Sequence, residues 1–89
     1  MKAASFEWDE QNVGHIAFHQ VETDEAEAAF DNASLVLRTG DGKYLAYGQT
    51  YEGRYLLVVF VRKSGSILRV ITARDLVDEE KKRLRRRRR

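Results

Sequence analysis

Two histidines and three arginines are the side chains of this 89-residue sequence best suited to chemistry on a phosphate: His15, His19, Arg54, Arg69 and Arg74. Breaking a phosphodiester without a metal needs a group that takes a proton, a group that returns one, and cations fixed where negative charge builds. Histidine suits the proton steps because its unperturbed pKa lies near neutrality. Arginine suits the third task through its planar, bidentate fork. His15 and His19 stand four apart, so a helix places them on one face beside Asn12. That pair has three readings: proton transfer or direct ligand contact, a zinc site still wanting a third ligand, or half-buried polar groups that seat the helix on a sheet. Arg69 and Arg74 stand five apart near the end of one expected strand. An unbroken strand points them to opposite faces, and a strand-to-helix turn between them is needed to bring both to one rim. Each arginine also has a structural alternative, a salt bridge to the acidic helices such as Arg74 with Glu80. Glu80 is itself a candidate base, but Lys81, Lys82 and Arg83 follow it and are expected to keep its carboxylate ionised as a helix-surface partner.

The elements that must position these groups are legible from punctuation and periodicity. Asp9 is a good N-cap, and Trp8, Asn12, His15 and His19 fall at steps of four, three and four, which predicts a first helix over 9–19. A second is expected over 23–31, with Thr23 as N-cap, Asp24 and Glu25 in its first turn, and Ala26, Ala29 and Phe30 as its apolar stripe. From Ser34 the pattern changes to strands at 34–39, 43–50, 54–63 and 67–73, separated by Gly40-Asp41-Gly42, Glu52-Gly53 and Ser64-Gly65-Ser66. Such short glycine-bearing links predict an antiparallel meander. Tyr55 to Val61 is apolar at every position, so this strand should be the centre of the sheet and covered on both faces. A final amphiphilic helix over 76–86, capped by Asp75 or Asp78, ends in Arg85–Arg89, which is expected to be a disordered basic tail. The fold class is therefore α+β, with two N-terminal helices, a four-stranded antiparallel sheet and a C-terminal helix.

Composition bounds what this scaffold can do. A chain of 89 residues has room for one domain with one modest core, and a roomy cleft is not expected. Cysteine is absent, which removes disulfides and thiolate metal sites and favours a reducing, cytoplasmic setting. No apolar run approaches a membrane span, and the start Met1-Lys2-Ala3-Ala4-Ser5 leads into charged residues rather than a signal-peptide core. The net charge of +2 hides a division: through Asp31 eight acidic residues oppose Lys2 alone, giving −7, while the rest carries six acidic and fifteen basic residues, giving +9. A basic half invites phosphate-bearing ligands or an acidic partner, and the two halves can also complement each other within one fold. Gly40-Asp41-Gly42 is a turn, not a nucleotide cradle.

The order α-α-β-β-β-β-α, together with Phe6-Glu7-Trp8-Asp9, Asn12, His15, His19 and Phe30, resembles the opening of the BrnT family. Lys43-Tyr44, Gly48, Gly53-Arg54, Val58-Val59-Phe60 and Arg69-Val70-Ile71-Thr72-Ala73-Arg74 extend the resemblance over nearly the whole chain. It implies a RelE-like fold, metal-independent cleavage of messenger RNA with no cofactor, and a cognate antitoxin that neutralises the toxin and represses the shared promoter. Promoter DNA would then be met only through the antitoxin complex. The resemblance singles out Arg74 as the first site residue, with Arg69 beside it and His15 or His19 for proton transfer. Lys43, Tyr44 and Arg54 would meet the RNA, where Tyr44 either stacks on a base or packs across the strands. Tyr47, Tyr51 and Tyr55 add aromatic surface near the same turns. Two residues depart from the family pattern: Lys43 stands where arginine is common, and Leu84 aligns where the last helix usually carries a tyrosine. Lysine keeps the charge but not the fork, and leucine has no hydroxyl. The expected function is thus an endoribonuclease toxin, and the alternative is a catalytically weakened module that holds an antitoxin or RNA without cutting. A third alternative is a structural domain that dimerises through its tyrosines and sheet.

Overall fold

A computed structural model describes residues 5–87, and they form an α+β fold. The elements are β1 (Ser5–Glu7), α1 (Glu10–Ala17), α2 (Thr23–Asp31), β2 (Leu35–Arg38), β3 (Tyr44–Gln49), β4 (Tyr55–Ser64), β5 (Ile67–Asp75) and α3 (Asp78–Arg87). The sheet has five strands in the order β1-β5-β4-β3-β2. β2 to β5 form the expected antiparallel meander, whereas β1 pairs in parallel with β5 through Ser5↔Ile67, Phe6↔Leu68 and Glu7↔Arg69. The expectation of four antiparallel strands is corrected accordingly. Three residues carry too little alternation to announce a strand, and β1 is held by Phe6 packing edge-on to Phe30 at 5.3 Å.

Asp9 caps α1 as its sequence implies: its carboxylate accepts the amides of Gln11 and Asn12, and Asn12 Oδ1 accepts the Asp9 amide in return. The helix is shorter than 9–19. Gln20 adopts φ 61°, while the Val21 amide donates to the Ile16 carbonyl and the Gln20 amide to that of Ala17, a Schellman-type ending without glycine. Buried Ile16 and Val21 supply its apolar contact. α2 starts at Thr23, so its cap is Glu22, whose amide donates to Glu25 Oε1. α3 runs to Arg87, and the last two arginines of the expected tail lie outside the described residues.

The sheet is covered on both faces, as the unbroken apolar run of β4 requires. One face carries Ala46, Leu56, Val58, Phe60, Leu68, Val70 and Ala73 against Ile16, Ala26, Ala29 and Phe30 of α1 and α2. The contact is close at Gly48, where a Cβ would stand 1.9 Å from the Ala29 carbonyl oxygen. The other face gathers Leu35, Tyr47 and Leu57 beneath Leu76 and Leu84, with Leu45, Tyr55 and Val59 at its margin. Leu84 is the apolar contact that seats an otherwise charged α3 on this face.

Candidate functional site

β5 carries two of the arginines, and its register decides where they point. Val59 pairs with Thr72 and Phe60 with Val70, so Ile71 is an extra residue in the strand. This bulge resets the alternation. Leu68, Val70 and Ala73 all face α1 and α2, and Arg69, Thr72 and Arg74 all pair with residues of the opposite face, namely Val61, Val59 and Leu57. The two arginines therefore share a face, by a bulge within the strand and not by a turn after it.

Sharing a face does not bring them together. Arg69 is drawn to the β1 edge, where Nη1 donates to Glu7 Oε1 at 3.0 Å and Asp9 Oδ2 at 2.9 Å, and Nη2 donates to Asp9 Oδ1 and Gln11 Oε1. With two carboxylates around one guanidinium, this cluster is net acidic. The Arg69 hydrogen bond also holds the Asp9 carboxyl below its ordinary pKa. Arg69, Gln11, Asn12, His15 and Ile71 line an open cleft of about 240 Å³.

Arg54 is occupied to its last donor. Nε and Nη2 take Asp75 side-on at 2.7 and 3.0 Å, Nη1 meets the Gln20 carbonyl and Glu25, and Nη2 also meets the His19 carbonyl. It ties the end of α1, the start of α2 and the end of β5 to one another. Its pKa is raised, chiefly by Asp75, and that of Asp75 is lowered, chiefly by Arg54.

Arg74 differs from both. Nη1 and Nη2 grip Glu80 of α3 end-on, each at 2.9 Å, and Nη1 also reaches the Asp75 carbonyl. Nε–H and the outer Nη2–H have no acceptor among the described residues, and the side chain is 38% exposed. That leaves the side-on fork open to an incoming anion. Glu80 also accepts the Val77 amide, and its pKa is lowered first by Arg74, so it is a fixed anion rather than a tuned base. The salt-bridge alternative for Arg74 and the open-fork reading hold together in one geometry.

The histidines do not seat the helix. Both are exposed, with ring centroids 6.0 Å apart, and the seating role belongs to Asn12, which is 3% exposed and donates Nδ2 to the carbonyls of Glu7 and Val70. His15 borders the Arg69 cleft. The His19 carbonyl accepts from Arg54, which also pairs with Asp75. Among the described residues, no three His, Asp or Glu side chains gather as metal ligands. Lys43 pairs with Asp41 at 3.3 Å just before β3, four residues ahead of Tyr47, the residue that shares Leu57 with Arg74. Tyr44 is stacked on Phe60 at 5.3 Å and lies beneath the Arg38 guanidinium, so cross-strand packing describes it.

The candidate residues thus divide into four places: His15 with Arg69 at the β1 edge, His19 with Arg54 at the end of β5 on the α1 and α2 side, Arg74 at the same end on the α3 side, and Lys43 with Tyr44 at the far end of β3. Sequence reasoning missed Asp75 and Glu25 as the partners that immobilise Arg54. Only their acidity, shared with a dozen other positions, could have pointed to them.

None of the curated proteins compared matches the chain. Its fold is similar to that of the BrnT ribonuclease toxin of Brucella abortus, with a TM-score of 0.69 and 25% identity over 83% of this chain and 97% of that one. Residues 8–80, from Trp8 before α1 to Glu80 on Arg74, match the model of the ribonuclease toxin BrnT of type II toxin–antitoxin systems, and the chain belongs to that family.

Proposed function

We propose that this protein is an endoribonuclease toxin that cuts messenger RNA in the cytoplasm without an obligatory metal or cofactor, on an architecture akin to RelE-like toxins. The observation that carries the reading is the family match over residues 8–80. Within it, the free fork of Arg74 supports this residue as the one that holds the scissile phosphate. Nε and Nη2 would take two phosphate oxygens side-on while Glu80 keeps the guanidinium oriented from its end, so binding needs no rearrangement of the pair. His15 and His19 are proton-transfer candidates by their chemistry alone, since α1, which carries His15 and ends just before His19, covers the face of the sheet opposite Arg74. The partner is a cognate antitoxin, and promoter DNA is met through their complex.

The test is digestion of a labelled, unstructured RNA by antitoxin-free protein in excess EDTA at near-physiological salt. Cleavage is expected, with cleavage lost in Arg74→Ala and retained at a reduced rate in one of His15→Ala and His19→Ala. Intact RNA with a folded protein would contradict the reading. A second reading, a module that binds without cutting, is favoured by one observation: Leu84 is buried on the sheet and offers no hydroxyl beside the site. Retained RNA or antitoxin binding without cleavage is its signature.

A further inference from the structure

Clefts on the described surface differ in the charge of their walls, as three of them show. The one at the β1 edge contains Arg69, which is already shared by two carboxylates. A second is lined by Asp24, Glu25 and Glu52 with Ala28, Thr50 and Tyr51, an acidic wall that repels a nucleic-acid backbone. The third is lined by Asn32, Ser34, Gln49, Thr50, Tyr51 and Tyr55 over Leu84 of α3, and no carboxylate borders it. Its volume is about 240 Å³. That is below the roughly 300–1,000 Å³ of drug-sized sites and suits one planar ring.

We propose that this third cavity receives one nucleobase of the RNA strand whose phosphate is held at Arg74. The inference rests on the ribonuclease reading and deepens it by adding a base subsite to the phosphate site.

Its walls have the parts such a subsite needs. Tyr51 is 80% exposed, and no packing accounts for an aromatic ring there, whereas stacking on a base would. Asn32 donates Nδ2 to the Gln49 carbonyl, and Gln49 donates Nε2 to the Gly53 carbonyl, so both amides are held in place. Their oxygens, Oδ1 and Oε1, accept nothing among the described residues and remain for the hydrogen-bonding edge of a base. Ser34 adds a hydroxyl to the same wall.

The cavity is also joined to Arg74 by α3. Glu80 grips Arg74, Lys81 stands over the Tyr55 ring at 6.0 Å, and Leu84 floors the cavity, so one face of this helix runs from the phosphate site to the base site. Tyr55 lies two residues along β4 from Leu57, the residue paired with Arg74, and on the same side of the sheet. Two strand residues span about 7 Å, close to the spacing of neighbouring nucleotides in an extended strand. Lys81 then lies between them, next to the connecting phosphate.

The test separates binding from cleavage. A 2′-O-methyl RNA oligonucleotide, which cannot be cut, is titrated into the full chain in EDTA, intact and with a single abasic ribose moved along its length. Tyr51→Ala should weaken binding of the intact strand about 5- to 150-fold, the range for one stacked base, and Tyr51→Phe should not. Because Tyr51 is exposed, neither variant should unfold the protein. One abasic position should cause a similar loss, and the two losses should not add. Unchanged binding in Tyr51→Ala, additive losses at every abasic position, or no binding of the strand at all would overturn the base site. Cleavage of ordinary RNA is scored separately: cutting without dependence on Tyr51 removes the base site alone. Tyr51-dependent binding without cutting leaves the base site and removes the nuclease.

Discussion

Arginines that look alike in sequence separate once their donors are followed. Arg54 spends all five on the fold, Arg69 bridges β1 and α1, and of these three Arg74 keeps its side-on fork free. Arg54→Ala should therefore lower thermal stability, by about 2 kcal/mol through the removal of charge-assisted hydrogen bonds, before it says anything about activity. The buried amide of Asn12 belongs with it. Asn12→Ala removes the side-chain donor of the Val70 and Glu7 carbonyls and should cost about 3 kcal/mol, read as a fall in Tm of roughly 10 °C or more for a domain this small. Asp9, Asp75 and Glu80 all have pKa values depressed in the folded protein, first by Arg69, Arg54 and Arg74 respectively. A carboxylate depressed on folding stabilises fully above its unfolded pKa and loses that contribution as pH falls through the folded value. Tm should thus be level near neutrality and decline below about pH 4, and Asp75→Asn should flatten part of that decline.

At the scale of elements, the position of each group depends on close approaches and offsets. Gly48 lets α2 lie on β3, and Gly48→Ala would drive a Cβ into the Ala29 carbonyl, so we expect a loss of about 3 kcal/mol or an unfolded product by circular dichroism. Deleting Ile71 would remove the bulge and put either Arg69 or Arg74 into the apolar face, and no cooperative unfolding transition should remain. These offsets mark what could be read from the sequence. Both N-terminal helices, the four-strand meander and the doubly covered β4 were legible because hydrophobic period and glycine turns report them directly. β1 was not, since a three-residue parallel edge carries no pattern. The bulge was not either, because it changes the face of Arg74 without changing composition. Arg74 itself was legible as a site candidate, but its distinction from Arg54 and Arg69 lies in which donors are taken, a property of the folded partners. The histidines were assigned to one face with Asn12, and three residues of offset were enough to bury the amide and expose both rings.

The whole molecule is electrically divided. The acidic residues of α1 and α2 lie over one face of the sheet, and the lysines and arginines of α3 lie over the other, which also bears Arg74. RNA should therefore approach the α3 side, and its affinity should fall as salt rises. Arg83→Glu, on an exposed position of α3, should reduce the slope of log K against log salt by about 0.7 for each phosphate of a single strand that the protein no longer neutralises. Attraction of this kind holds RNA whether or not it is cut, so the central claim, that the open fork of Arg74 holds the scissile phosphate, requires a rate. The most direct measurement is single-turnover cleavage of one RNA in EDTA by the wild-type protein and by Arg74→Lys, which keeps the charge and can still pair with Glu80. A fall in rate of about 10-fold or more at unchanged Tm is the result expected if the bidentate fork acts at the phosphate. Equal rates for the two proteins would contradict it.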